Sequence, residues 1–195
     1  MIDIRPMQAR DRGAVLELAD RLTVGVASWR APELVLRAVR SWVSGDIDKV
    51  GEELMIYVAA EGADVVGFVA VTEDTHWTGE RDAYIGELVI RPDLERQGVG
   101  RQLVRAAELW ASARGLRRIR LSTGAANTAA LSLYGALGYQ CEDVTLSSGV
   151  ADLRDRADPD DPDRSTGDRN HDKGAPAEAV TPTSRVPGSP GHRRP

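Results

Sequence analysis

The run Arg96-Gln97-Gly98-Val99-Gly100-Arg101 sets two glycines between two arginines shortly after Leu88-Val89-Ile90 and Pro92. A strand that stops at a proline, a short loop, and glycines that open a helix together suit a pyrophosphate. First-turn N–H groups lack intrahelical acceptors, the helix dipole is positive there, and glycine lets a ligand approach the backbone. Arg96 and Arg101 add positive charge beside it. Two other glycine-loop chemistries do not fit. A dinucleotide fingerprint needs glycine where Leu103 stands, and a triphosphate loop needs Gly-Lys-Ser/Thr. A tight turn that binds nothing is the plain alternative.

Other residues could supply proton chemistry. Asn127 heads an apolar run that passes through Tyr134 and stops at Gly138. It can act as a helix cap, accepting from a first-turn N–H. Tyr134 is either a core aromatic or a phenol placed to give up a proton. Glu87, just before Leu88, is either a solvent-facing acid on a half-buried strand or a group that attracts an ammonium and relays its proton. Cys141 is the only cysteine and has no histidine near it in sequence, so neither an internal disulfide nor a nucleophile is expected. His76, His171 and His192 show no ligand spacing, and no metal is expected.

Those residues need a scaffold, and the sequence supplies its elements in order. Ile2 and Ile4 alternate with Asp3 and Arg5, as in a short first strand. Asp11 can cap a helix with Val15, Leu18, Ala19 and Leu22 on one face, ended by Gly25. Pro32 suits the first turn of a second helix to Gly45, with Val35, Val39, Trp42 and Val43 as its stripe. Strands at 54–60 and 65–72 flank Glu61-Gly62-Ala63-Asp64, an antiparallel hairpin signal. After a polar loop with His76 and Trp77, a strand covers 83–90. An amphipathic helix follows from Gly98 to Arg114, with Val99, Leu103, Ala106, Ala107 and Trp110 on its apolar side. A strand around Ile119 and Leu121, a helix over 127–137 and a last strand over 139–146 complete the order. The prediction is an α/β (α+β) domain, β-α-α-β-β-β-α-β-α-β, with a mixed, mostly antiparallel central sheet flanked by helices.

Composition bounds the rest. The 195 residues fit one domain. A net charge of -5, from 30 acids and 25 bases, argues against a general nucleic-acid binder. No basic-then-apolar leader opens the chain, and no apolar run reaches the ~18 residues of a membrane helix, so a cytoplasmic protein without a membrane partner is expected. From Val150 onward there is no Phe, Tyr or Trp, and seven of the ten prolines lie there. The expected division is a folded domain over 1–148 and a disordered Pro/Asp/Arg-rich tail over 149–195.

Taken together, the two motifs resemble those of the GNAT superfamily of N-acetyltransferases. Glu95-Arg96-Gln97-Gly98-Val99-Gly100 is similar to that family's Q/R-x-x-G-x-G/A, departing at Glu95. Asn127-Thr128-Ala129-Ala130-Leu131-Ser132-Leu133-Tyr134-Gly135-Ala136-Leu137-Gly138-Tyr139 fills every defining position of N-x-x-A-x-x-L-Y-x-x-L-G-F/Y. The resemblance covers about residues 1–147 and implies a GNAT-type fold with acetyl-CoA as co-substrate. By it, Arg96, Gln97, Gly98, Val99, Gly100 and Arg101 surround the CoA pyrophosphate. The backbone of Leu88, Val89 and Ile90 pairs with the pantetheine arm, Asn127 faces the pantetheine or the sulfur end, and Tyr134 protonates the departing thiolate. Glu87 stands where polyamine and small-amine acetyltransferases often have an acid, whereas Ser122 replaces the Glu of N-terminal acetyltransferases that act on ribosomal proteins. Trp29 and Trp42 flank the helical pair that covers the acceptor pocket in this family, and His76 and Trp77 fall in a loop that could also line it.

The implied reaction is acetylation of a primary amine on a small molecule, such as a polyamine, an aminoglycoside-like compound or an amino acid, in preference to a protein N-terminus or lysine, by direct attack in a ternary complex. A non-catalytic module that binds acyl-CoA is the contrasting reading. Such domains usually end in a further strand after the one near Tyr139, and 149–158 is too polar for one. Either that strand is weak, or a neighbouring subunit covers the edge and makes a homodimer.

Overall fold

The computed structural model describes residues 1–51 and 53–149. Five strands form one sheet in the order β1 (Ile2–Pro6), β2 (Leu54–Glu61), β3 (Asp64–Thr75), β4 (Arg81–Ile90) and β5 (Ile119–Leu121). The first three pairings are antiparallel, and β4 with β5 is parallel. Four α-helices complete the body: α1 (Arg12–Leu18), α2 (Pro32–Asp48), α3 (Val99–Ala113) and α4 (Thr128–Ala136).

Alternation along the strands gives the sheet two apolar faces. On β2 and β3, Ile56, Val58, Phe68 and Ala70 join Val15, Val43 and Ile47 from α1 and α2. Ala59, Val69 and Val71 face the other way, against Leu103, Val104, Ala107 and Trp110 of α3. Phe68 and Leu103 are fully buried, and each such side chain stabilises by about 1.5–3 kcal/mol relative to exposure. Of the α3 stripe expected from the sequence, Val99, Leu103, Ala107 and Trp110 pack; Ala106 does not join this core, and Val104 and Ala111 do.

Near its N-terminus the chain departs from expectation in a physically instructive way. Asp11 does not cap α1 through its side chain. Its carboxylate accepts the Gln8 N–H at 2.8 Å and two bonds from the Arg5 guanidinium, at 2.6 and 3.0 Å. A buried carboxylate gains more from a bidentate cation than from a first-turn amide. The hydrogen bond from Arg5 holds the Asp11 carboxyl below its ordinary range. The expected first helix is also split: α1 gives way to a 3₁₀ turn, Ala19–Thr23. At its other end, α2 continues past Gly45 to Asp48, since Ile47 gains burial there.

The expected final strand over 139–146 does not form: among the described residues nothing after α4 belongs to the sheet. Residues 141–149 have no regular secondary structure and are exposed throughout. The order β-α-α-β-β-β-α-β-α-β is thus corrected by loss of its last term. Local alternation does not make a strand where no neighbour accepts its hydrogen bonds. The proposed tail, with His171 and His192, lies outside the described residues apart from Gly149.

Candidate active site

β5 pairs with β4 only through Ala83, Tyr84 and Ile85, opposite Ile119, Arg120 and Leu121. Arg120 fastens this end. It pairs with Asp74 and with Asp82, and its guanidinium lies 5.2 Å from the Tyr84 ring centroid. Beyond Ile85 the two strands part. Leu88, Val89 and Ile90 keep their β3 partners, Val69, Phe68 and Gly67, and have no partner strand on the opposite side among the described residues. The gap between the strands is a cleft of about 820 Å³.

A β-bulge decides what faces that cleft. Ala70 pairs with Glu87 and Val71 with Ile85, so Gly86 is an extra residue on β4. Ahead of it, Ala83 and Ile85 pack on the α3 side; after it, Leu88 and Ile90 do so, while Val89 joins the α2 side. The alternation has shifted by one residue, as a bulge requires. Glu87 thereby shares a face with Val89 rather than with Ile85. Its side chain, 3% exposed, lies on the cleft wall. Nothing in the amino-acid pattern except Gly86 itself signalled this re-aiming.

At one end of the cleft is the turn into α3. Arg91 and Asp93 brace it through two bonds of 2.7 and 3.0 Å, and the Gln97 side chain donates to the Asp93 carbonyl at 2.8 Å. Arg96 has φ 60° and Gly98 φ 85°, both left-handed. Gly98 is the N-cap of α3, and the first helical bond runs from Gln102 N–H to its carbonyl at 3.1 Å. The amides before Gln102 therefore precede the helical ladder and are available to an anion. A left-handed non-glycine residue costs about 1–2 kcal/mol, which the bonds that brace this turn must offset.

The sequence-derived candidates converge here, with two distinctions. Arg96, Gly98, Gly100, Arg101, Leu88, Val89, Ile90, Glu87, Asn127 and Tyr134 all line the cleft. The side chains of Gln97 and Val99 do not: Gln97 is occupied with Asp93, and Val99 is buried in the α3 core. Only their backbone could serve a ligand. Asn127 caps α4, its side-chain oxygen accepting the Ala130 N–H at 3.1 Å. Tyr134 is 8% exposed, with its ring centroid 5.4 Å from that of Tyr139. Burial, with Tyr84 adding, pushes the Tyr134 phenol up to about 12.

Glu95 has a partner that the sequence could not disclose. Its carboxylate meets the Arg21 guanidinium at 2.5 Å across the cleft mouth, 74 residues apart in the chain. Close by, Gly25 and Gly124 touch backbone to backbone: a Cβ on Gly124 would lie 2.1 Å from the Gly25 carbonyl oxygen. Of the aromatic residues considered for the acceptor wall, Trp42 lines the cleft and Trp29, His76 and Trp77 do not. Among the described residues, no group of three or more His, Cys, Asp or Glu could hold a metal ion, and no helix is long and apolar enough to cross a membrane.

Comparison with known proteins shows the family and the fold. The model of the acetyltransferase (GNAT) family matches residues 21–139. The chain is similar to the dTDP-fucosamine acetyltransferase of Escherichia coli O6:H1, at 31% identity over 116 residues, 60% of this chain and 47% of that protein. It is also similar to the mycothiol acetyltransferase of Amycolatopsis mediterranei, at 30% identity over 104 residues, 48% of this chain and 32% of that protein. In each case the match spans about half the length of the curated relative, or less. A solved structure described as a transcriptional regulator from Bacillus halodurans C-125 matches with TM-score 0.57 and 24% identity, covering 76% of this chain and 99% of that one. That likeness is one of fold.

Proposed function

Since the chain belongs to the GNAT acetyltransferase family, we propose that it moves an acetyl group from acetyl-CoA to a primary amine of a small molecule, by direct attack in a ternary complex. The observation that carries this reading is one continuous cleft. It runs from the amides at the start of α3, along the free edge of β4, to Glu87 and Tyr134.

The residues divide the work. The amides of residues 96–101, with Arg96 and Arg101, bind the diphosphate of the co-substrate. The edge of Leu88, Val89 and Ile90 takes its amide-bearing arm as an added strand would be taken. A backbone N–H on that edge polarises the acetyl carbonyl, and the thioester supplies the electrophile. Glu87 draws in the ammonium and relays its proton away, directly or through water, which leaves a neutral amine to attack. As the C–S bond breaks, Tyr134 donates the phenol proton to the sulfur. With the phenol near 12 and a thiol near 8.5, that transfer is uphill unless it accompanies bond cleavage, so a concerted step is favoured.

Similarity to proteins named for a sugar nucleotide and a thiol supports a small acceptor. The outer edge of β5 ends the sheet among the described residues, and we keep homodimer formation there as a proposal for sedimentation analysis. The deciding experiment is titration with acetyl-CoA, followed by thiol release against a panel of amines. Saturable binding with amine-dependent release is expected. Binding without release for any amine would make the chain an acyl-CoA-binding module instead.

A further inference from the structure

On the α2 side of the sheet the cleft is walled by Leu22, Val24, Val26, Val39 and Trp42. Val24, Val26 and Trp42 keep 54%, 38% and 43% of their surface exposed. Several apolar side chains left wet around one concavity mark a surface meant to be covered. The polar groups are unevenly signed. The carboxylates lining the cleft are Glu87 and Glu95, and Arg21 holds the second of them. Arg21, Arg96 and Arg101 line it as well. An acceptor with several ammonium groups would need more carboxylates than the two that line the cleft, one of which Arg21 holds. An acceptor with one ammonium could set it against Glu87 and lay the rest of its body on the aliphatic wall and Trp42.

We propose that the acceptor is a monoamine, a single primary ammonium carried on an apolar and preferably ring-bearing body, bound between Glu87 and the wall formed by Val24, Val26, Val39 and Trp42. This rests on the acetyltransferase reading above. It excludes the polycationic amines, which need several acids to receive them. The reaction balances: one ammonium proton leaves by way of Glu87, the C–N bond forms as the C–S bond breaks, the sulfur takes the Tyr134 proton, and the second nitrogen-bound proton, shed as the amide forms, restores the phenol.

The test uses 2-phenylethylamine, spermidine and kanamycin as probes with the full chain and acetyl-CoA, while co-substrate binding is titrated separately. The kcat/KM for 2-phenylethylamine should exceed that for either polycation by about 10-fold or more, the scale on which apolar pockets discriminate. Trp42→Ala should raise the KM for 2-phenylethylamine about 10-fold with little change in kcat, the pattern of lost uniform binding. Trp42→Phe should restore most of that loss, and acetyl-CoA affinity should not move in either variant. Trp42 is part-exposed, so both variants should fold, and a thermal melt checks this. Preference for spermidine or kanamycin, an unchanged KM in Trp42→Ala, or acetyl-CoA binding with no turnover of 2-phenylethylamine would each overturn the proposal. Failure of acetyl-CoA to bind is a different result, and it removes the transferase reading itself.

Discussion

Tyr134 concentrates the chemistry in one oxygen atom. Tyr134→Phe keeps the ring against Tyr139 and deletes only the hydroxyl, so the fold and acetyl-CoA affinity should survive. If the phenol is the acid, kcat should fall by about 10²–10⁴, the usual range for losing a general acid. The pH dependence has a definite sign. A folded-state value near 12 against about 10 unfolded means that the neutral phenol is favoured by burial, and that this contribution is intact below pH 10. It is lost as pH rises from 10 toward 12, so Tyr134→Phe should be less sensitive than the parent to alkaline unfolding over that window, read by circular dichroism. At this scale the sequence singled out Gly98, Gly100, Asn127 and Tyr134 where a motif fixed their spacing, and all four line one cleft. It did not disclose pairings across long separations. Glu95 looked like a defect in its motif because Arg21 is remote in the chain, and only the fold brings the two together. Asp11 was misread for a related reason, since its strongest partner, Arg5, lies outside the helix it was expected to cap.

Between elements, the contact of Gly25 with Gly124 ties the connection after α1 to the loop between β5 and α4. Gly124→Ala would place a methyl group 2.1 Å from the Gly25 carbonyl oxygen, and backbone cannot rotate aside as a side chain can. The two loops must separate. The expected outcome is a loss of about 1–3 kcal/mol in stability by urea unfolding, together with a raised KM for the amine. Unchanged values of both would show that the loops part freely. The hairpin of β2 and β3, the start of α2 at Pro32 and the length of α3 were legible from turn residues and periodicity. The bulge at Gly86 was not. It depends on the register against β3, and a single glycine in a strand carries no instruction about which face the next side chain takes. That register is what delivers Glu87 to the cleft.

For the molecule as a whole, the two apolar faces of the sheet pack on different helices, α3 on one side and α1 with α2 on the other, and the proposed site lies at the edge of β4 between them. Composition proposes that the working unit ends near residue 148. A chain stopped after Ser148 should bind acetyl-CoA and turn over its amine as the full chain does, which a side-by-side assay would read directly; loss of either activity would assign the remaining residues a part in the site. The end of the sheet was the poorest part of the sequence reading, because whether a short alternating segment becomes a strand is decided by the edge it meets. The parting of β4 from β5 has a further consequence for anyone who would strengthen this protein. Zipping the two strands together past Leu121, by β-branched residues or a covalent staple, would recover hydrogen bonds that the native chain forgoes. The sturdier protein would have no room left for a coenzyme. Here robustness and catalysis compete for the same few ångströms of backbone.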